Sequence, residues 1–290
     1  MRILIFGGDG MLGHRLLRQL APAHEARVTL RRGLADYDRW GLFNRQNAFD
    51  AVDVRDLRRV SAVVAEFRPQ AVINAVGIVK QRPEAQEHVA SIEINALFPH
   101  RLAALCRASA ARLLQLGTDC VFSGEKGNYA EFDRPDPLDL YDRTKLLGEV
   151  DGPGALTLRT SMIGPELERK TGLVEWFLAQ KGKTIKGYRK AIFSGFTTAE
   201  LARIIERIAT GDPDAHGIYH VSSAPISKFD LLAGLNRRLR LGIEIVPDDA
   251  VRCDRSLDSA RFRKAFGYAP PAWGAMLDEL AADILKGAAR

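Results

Sequence analysis

Apolar and polar positions change places along the first half of the chain at a regular rhythm. "RILIF" is a short apolar run that stops at glycines, and "GHRLLRQLA" carries its leucines at helical spacing. "ARVTL" is short and β-branched, "DLRRVSAVVAEF" is amphipathic with a helical period, and "QAVINAVG" is a strand-like run ending in glycine. "SIEINALFPHRLAALCRAS" has a helical pattern in which Pro99 should introduce a kink, and "ARLLQLGT" is strand-like again. The polar and aromatic stretch from Arg32 to Phe49 reads as a long loop. Such alternation predicts βαβ units, and continuous apolar strands predict a parallel sheet buried on both faces. "ALTLRTSMIG" adds one strand. Beyond about Leu156 the pattern turns helical, in "GLVEWFLAQ", "TAELARIIERIA", "SKFDLLAGLNRRL", "LDSARFRKAFGY" and "WGAMLDELAADIL", with "GIYHVSS" as a strand among them.

Composition narrows the classes. The 290 residues are 46% hydrophobic and 27% charged, which suits a water-soluble globular chain, and no apolar run approaches the ~20 residues of a membrane span. Three scattered cysteines, Cys106, Cys120 and Cys253, fit neither a disulfide framework nor a zinc site, so a cytoplasmic setting is expected. The six histidines lack metal-ligand spacing. The net charge of +6 is spread over short pairs such as Arg31/Arg32, Arg58/Arg59 and Arg237/Arg238. A nucleic-acid stripe would be more concentrated, so neither nucleic acid nor membrane is an expected partner.

The first chemistry lies in "IFGGDGMLGHRLL". Gly7, Gly10 and Gly13 stand at G-x-x-G-x-x-G spacing between the first strand and a leucine-spaced helix. A tight structural turn alone could use these glycines. Their place is also the one where backbone approaches a pyrophosphate and a helix N-terminus offers its N–H groups to the anion. Dinucleotide binding is therefore expected, with Asp9 turned away from the phosphates. The second strand ends at Arg31 and Arg32, about 20 residues beyond the glycines, where an NAD site would place a carboxylate. Guanidinium groups suit a 2′-phosphate, which favours NADP(H) over NAD(H). Asp53 in "AVDVRD" could receive the adenine amino group, and "INAVG" ends at Gly77, where small residues let a cofactor cross the sheet edge. The candidate cofactor contacts are Gly7, Gly10, Met11, Leu12, Gly13, Arg31, Arg32, Asp53, Val54, Ala75 and Gly77, joined by Tyr141 and Lys145. The expected architecture is α/β, a Rossmann-type doubly wound parallel sheet over 1–160 with a smaller, mostly helical substrate lobe over 161–290. Exchange of segments between the two is allowed for.

The glycine spacing, "DVRD", "INAVG", "GTDCVFSG" and "YDRTK" follow one another in this order. Together they resemble the extended short-chain dehydrogenase/reductases that act on nucleotide sugars, and within them the dTDP-4-dehydrorhamnose reductase branch. "TDCVFSGEKGNYAE" is the most discriminating stretch. The resemblance covers essentially the whole chain and is looser in the second half. It implies an NADPH-dependent reductase of a nucleotide-linked 4-keto-6-deoxy sugar, with a homodimer as an open option. An epimerase or dehydratase of such sugars is the neighbouring alternative. A non-catalytic regulatory subunit is the other, because the branch includes one that serves methionine adenosyltransferase.

"YDRTK" fits the reductase chemistry. Tyr141 and Lys145 stand at i and i+4, on one face of a helix. A nearby ammonium favours the phenolate, so a tyrosine so placed can lose and regain a proton. The resemblance implies Tyr141 as general acid, Lys145 as its tuning group and ribose ligand, and Thr118 as hydrogen-bond donor to the reacting carbonyl. Cys120, where the family often has tyrosine, reads as a packed thiol. For the substrate, "KGYRKAIFSGFTT" and "DRSLDSARF" offer Lys190 and Arg255, with Trp176, Phe177, Lys186, Arg189, Phe193 and Asp258 as weaker candidates.

Overall fold

Five apolar runs become the strands β1 Arg2–Phe6, β2 Glu25–Thr29, β4 Ala71–Asn74, β5 Arg112–Leu116 and β6 Ala155–Arg159, and the short strand β3 Ala48–Phe49 forms at the end of the stretch expected to be a loop. The computed structural model describes residues 1–80 and 86–288. With Gly217–His220 these strands form one seven-stranded sheet in the order Gly217–His220, β6, β5, β4, β1, β2, β3. The pairs β1/β2, β2/β3, β1/β4, β4/β5 and β5/β6 are parallel. Ile3, Leu4, Ile5 and Phe6 of β1 are all fully buried, as a central strand covered on both faces requires. Strand order reverses between β1 and β4, and ligands of such sheets bind outside the carboxyl ends of the strands at that point. The expected Rossmann-type α/β sheet is present.

The chain falls into two compact units, one of Met1–Gly117, Asp139–Leu158 and Ala202–Ile218, the other of Thr118–Leu138, Arg159–Leu201 and Tyr219–Arg290. The first unit carries helices α1 Gly13–Leu20, α2 Leu57–Phe67, α3 His88–Ser91, α4 Phe98–Ala108 and α5 Leu140–Leu147. α2 starts at Asp56, whose carboxylate accepts from the Arg58 and Arg59 N–H groups, and it buries Val60, Val63, Val64 and Phe67. These join Leu4, Phe6, Val72, Phe98, Leu102 and Leu113 in one apolar core.

One local expectation is corrected, and the one at Pro99 gains a specific form. The stretch after Arg32 is not a bare loop: Leu34–Trp40 is a 3₁₀ helix whose Tyr37 is buried against Trp40 and Phe43, with ring centroids 5.8 and 5.7 Å away. Pro99 is accommodated by a π-helical stretch, Ile92–Leu97, between α3 and α4. A proline ring collides with the carbonyl four residues back, here Asn95, and supplies no N–H. The widened turn answers both: the Phe98 N–H reaches back five residues to the Glu93 carbonyl. Gly148, just after α5, packs on this turn, since a Cβ there would overlap the Asn95 carbonyl oxygen.

The second unit has its own core, with Val174, Phe177, Leu231, Leu235, Leu277 and Leu280 in it. Its helices include Leu173–Leu178, Lys228–Leu239, Ala260–Phe266 and Trp273–Ala288. It holds more strand than the helical pattern led one to expect. Thr184–Tyr188 pairs in parallel with Glu244–Asp248, and Ala191–Phe193 lies between Ile226–Ser227 and Cys253–Asp254. Among the described residues no helix is long and apolar enough to cross a membrane.

Candidate functional site

In the first unit the glycine loop joins β1 to α1 as a sterically determined turn. Gly7 has φ +89°, a conformation side chains rarely adopt. Its N–H faces the Thr29 hydroxyl at 3.3 Å, and the Gly8 N–H donates to the Thr29 carbonyl at 2.9 Å. A Cβ on Gly13 would overlap the Gly7 carbonyl oxygen, and one on Gly8 would come 2.5 Å from the Val28 Cβ. Gly8 lies outside the G-x-x-G-x-x-G pattern, yet it is held as tightly as the pattern glycines, by contact with β2. α1 begins at Leu12 with no side-chain cap and no acidic residue in its first turn. Its first N–H groups have no side-chain capping oxygen, and the His14 N–H reaches only the Gly10 carbonyl, at 3.4 Å, which suits an anion. Leu12 is buried and Met11 is half-buried beside them. His14 holds the loop from inside: its Nδ1 lies 2.8 Å from the Gly10 carbonyl, and burial pushes its pKa down to about 4.

The carboxyl end of β4 lies beside this loop. A Cβ on Gly7 would come within 3.1 Å of Val76 and 3.2 Å of Ala75, so the two strand ends approach closely. Ala75 and Gly77 are half-buried there. Asn95, from the π-helical turn, clamps the next residue: it accepts from the Ile78 N–H at 2.9 Å and donates to the Ile78 carbonyl at 3.0 Å. Its amide also lies 3.3 Å from the Thr144 hydroxyl of α5. An asparagine inside a helix gave no sequence signal for this tie.

At the end of β2, Arg31 and Arg32 are exposed and differ in surroundings. The Arg31 Nε is 4.0 Å from Asp53, whereas the Arg32 guanidinium lies over the Tyr37 ring, 5.0 Å from its centroid. Asp53 is gripped by Arg55 through contacts of 2.6 to 3.2 Å, and these hydrogen bonds hold its pKa down to about 2. Its carboxylate thus has a partner already, next to buried Val54. Asp9 does not simply face outward: its carboxylate lies 3.4 Å from the Tyr37 hydroxyl.

α5 presents Tyr141 and Lys145 one turn apart. Asp139 starts the helix by accepting from the Asp142 N–H at 2.9 Å, and Lys80 forms ion pairs with Asp139 and Asp142. Lys145 is buried, donates to the Leu116 carbonyl at 2.7 Å, and has its pKa lowered to about 8 by that burial. One of its three protons is so used; the ammonium carries two more.

In the second unit Thr118 opens the "TDCVFSG" segment. Its hydroxyl oxygen accepts from the Cys120 N–H at 3.1 Å and so starts the 3₁₀ turn Asp119–Val121. Its proton faces the Asp119 carboxylate at 3.4 Å, too long for a strong O–H bond. Capping therefore uses a lone pair and leaves the proton weakly held. Asp119 is buried, which raises its pKa, while Arg255 opposes that rise. Arg255 also donates from Nε to the Phe122 carbonyl at 2.8 Å and lies 3.5 Å from the Cys120 sulfur. The remainder of the segment is braced by Tyr129, stacked on Phe122 at 4.2 Å, with its hydroxyl accepting from the Gly124 and Lys126 N–H groups. Lys190 sits 3.5 Å from Asp249 at the surface, where Arg189 also grips that carboxylate. Trp176 is partly exposed, while Phe177 is core. Among the described residues no group of three or more His, Cys, Asp or Glu could hold a metal.

The chain is similar to several known proteins. The chain is 25% identical to dTDP-4-dehydrorhamnose reductase of Aggregatibacter actinomycetemcomitans, over 97% of this chain and 98% of that one. It is 26% identical to methionine adenosyltransferase 2 subunit beta of Danio rerio, over 81% of this chain and 72% of that protein. Its fold matches the Bacillus anthracis dTDP-4-dehydrorhamnose reductase solved with NADP, with TM-score 0.79, 22% identity, and 97% and 99% of the two chains covered. It also matches the Bordetella bronchiseptica enzyme WbmG solved with NAD, with TM-score 0.81, 20% identity, and 99% and 94% covered. The model of the RmlD substrate binding domain matches residues 1–285, and the chain belongs to that family.

Proposed function

We propose that this protein is an NADPH-dependent reductase of a nucleotide-linked 4-keto-6-deoxy sugar. The observation that carries the reading is α5: Tyr141 and Lys145 on one helical face, with Lys145 buried and anchored to the carboxyl end of β5. In the same unit the glycine turn, a helix N-terminus without a side-chain cap and two exposed arginines support dinucleotide binding. The nicotinamide supplies a hydride to the ketone carbon when bound. Tyr141 gives its hydroxyl proton to the ketone oxygen, which becomes the alcohol. The Lys145 ammonium favours the phenolate left behind, and the Thr118 proton hydrogen-bonds the same oxygen. Arg255 holds the Thr118 segment through the Phe122 carbonyl and Asp119, and we assign it to substrate binding at that segment. Lys190, paired with Asp249, is the weaker of the two substrate candidates.

The test is a panel of dTDP- and UDP-linked 4-keto sugars, read by loss of NADPH absorbance. Tyr141→Phe should abolish turnover and still bind NADPH; full turnover in that variant would sink the assignment. The similarity to methionine adenosyltransferase 2 subunit beta supports a second reading, a regulatory subunit that binds the dinucleotide without reducing a sugar. No consumption of NADPH across the panel, together with co-purification of a partner enzyme, would favour it. Tightly bound oxidised cofactor in the purified protein would instead favour an epimerase or dehydratase.

A further inference from the structure

The two arginines at the end of β2 are equal in sequence and unequal in the structure. Arg31 leans toward Asp53, a carboxylate that Arg55 already grips. Arg32 places its guanidinium over an aromatic ring that is itself immobilised: Tyr37 is 1% exposed and packs edge-on against Phe43 and at a tilt against Trp40. The 3₁₀ helix carrying Tyr37 returns to β2, because the Arg32 N–H points at the Tyr37 hydroxyl at 3.3 Å. That hydroxyl also faces Asp9 of the glycine loop at 3.4 Å. Both of these contacts are long, but the Arg32 side chain also hydrogen-bonds the Tyr37 hydroxyl, so ring face and hydroxyl hold the guanidinium together.

We propose that Tyr37 is a positioning residue for cofactor selection, whose ring face and hydroxyl pre-set the Arg32 guanidinium to take the 2′-phosphate of NADPH. The proposal rests on the dinucleotide reading above and refines it: Arg32 discriminates, and Arg31 contributes general positive charge. An exposed arginine normally loses much side-chain freedom on binding a phosphate, and a guanidinium already resting on a fixed ring loses less. Only NADPH carries the phosphate, so the gain is absent for NADH.

The experiment titrates the full chain with NADPH and with NADH, by calorimetry, in the wild type and four variants. Tyr37→Leu should lower the NADPH-to-NADH affinity ratio by about two- to fivefold, the range expected for one exposed cation–π contact. Tyr37→Phe should give a ratio between those of the wild type and Tyr37→Leu, since the ring face stays and the hydroxyl contact goes. Arg32→Ala should lower the ratio further, and Arg32→Ala/Tyr37→Leu should lower it no more than Arg32→Ala alone. An equal loss for both cofactors in Tyr37→Leu, or additive losses in the double variant, would overturn the proposal. Should Tyr37→Leu fail to fold, Arg32→Lys decides: it keeps the charge and loses the planar stack, so an unchanged ratio is likewise fatal. A wild type that binds neither cofactor removes the dinucleotide reading itself, an outcome distinct from binding without a change in ratio.

Discussion

Lys145 is held against its own solvation preference, and that makes its folded state measurable by pH. Burial moves the ammonium from the ordinary lysine value of about 10.5 to about 8. At 1.36 kcal/mol per pKa unit, the difference corresponds to roughly 3 kcal/mol of disfavoured charge in the folded protein without cofactor. The sign is set by proton counting. Below pH 8 both states keep the proton, so the cost is constant and full. Between about pH 8 and 10.5 the folded chain has released it and the unfolded chain has not, so stability rises with pH. Lys145→Met removes the titration while filling much the same volume. It also strips the Leu116 carbonyl of its donor, a loss of about 1–3 kcal/mol, so at pH 7 the two changes nearly cancel. The difference between the proteins should therefore emerge on the alkaline side. By pH 10 the wild type should have gained about 2–3 kcal/mol on the methionine variant relative to pH 7. Urea unfolding of both proteins without cofactor, at pH 7, 8, 9 and 10, provides the curves. Parallel curves over that range would refute the reasoning, because they would mean that the amine is solvated when folded.

Replacing Arg31 and Arg32 together with alanine should raise the Michaelis constant for NADPH about tenfold or more and leave that for NADH nearly unchanged, since each charge-assisted phosphate contact is worth at least about 1.5 kcal/mol. The turnover number should hardly move, because the contact is alike in ground and transition states. Gly13→Ala should cost about 1–3 kcal/mol and abolish NADPH binding, because its Cβ overlaps the Gly7 carbonyl oxygen and the turn must open; thermal unfolding and a fluorescence titration report both. Arg255→Met should lower stability by about 1–3 kcal/mol at neutral pH, and the deficit should narrow on acidification, because protonated Asp119 needs no cation beside it. A deficit independent of pH would assign the loss to the Phe122 carbonyl alone.

Much of the first unit was legible because its signals are local. β1, the glycine turn and α1 follow from neighbouring residues, and each carries both its period and its stop. Gly8 escaped because its constraint is Val28 of another strand, a contact no spacing announces. Tyr37 escaped because a polar, aromatic stretch without a period reads as loop, although its rings find one another across only a few residues. Asp119 sat inside the most discriminating stretch, but the charge that offsets its burial is Arg255, far along the chain. The short strands of the second unit were hidden for a related reason. Thr184–Tyr188 is mostly solvent-facing, so it lacks an apolar run, and its partner lies about 60 residues away. Lys190 illustrates the converse: a basic cluster suggests a ligand, and its nearest opposite charge turns out to be Asp249.

The widened turn at Ile92–Leu97 acts on the long helix as a phase shifter. Each residue of an α-helix advances the helix face by roughly 100°, so one surplus residue turns everything after it by that angle. Val89 and Ile92, ahead of or entering the turn, are exposed, whereas Phe98, Leu102 and Cys106 after it are core. Ser91 ahead of the turn and Asn95 within it are buried as well. Pro99 keeps the turn open, since closing it would drive its ring into the Asn95 carbonyl. A single-residue deletion in this stretch would leave composition and helicity almost untouched. It would swing Asn95 or the arm behind it off its mark, and the Ile78 and Thr144 contacts cannot follow. Length, more than identity, is what this segment cannot vary.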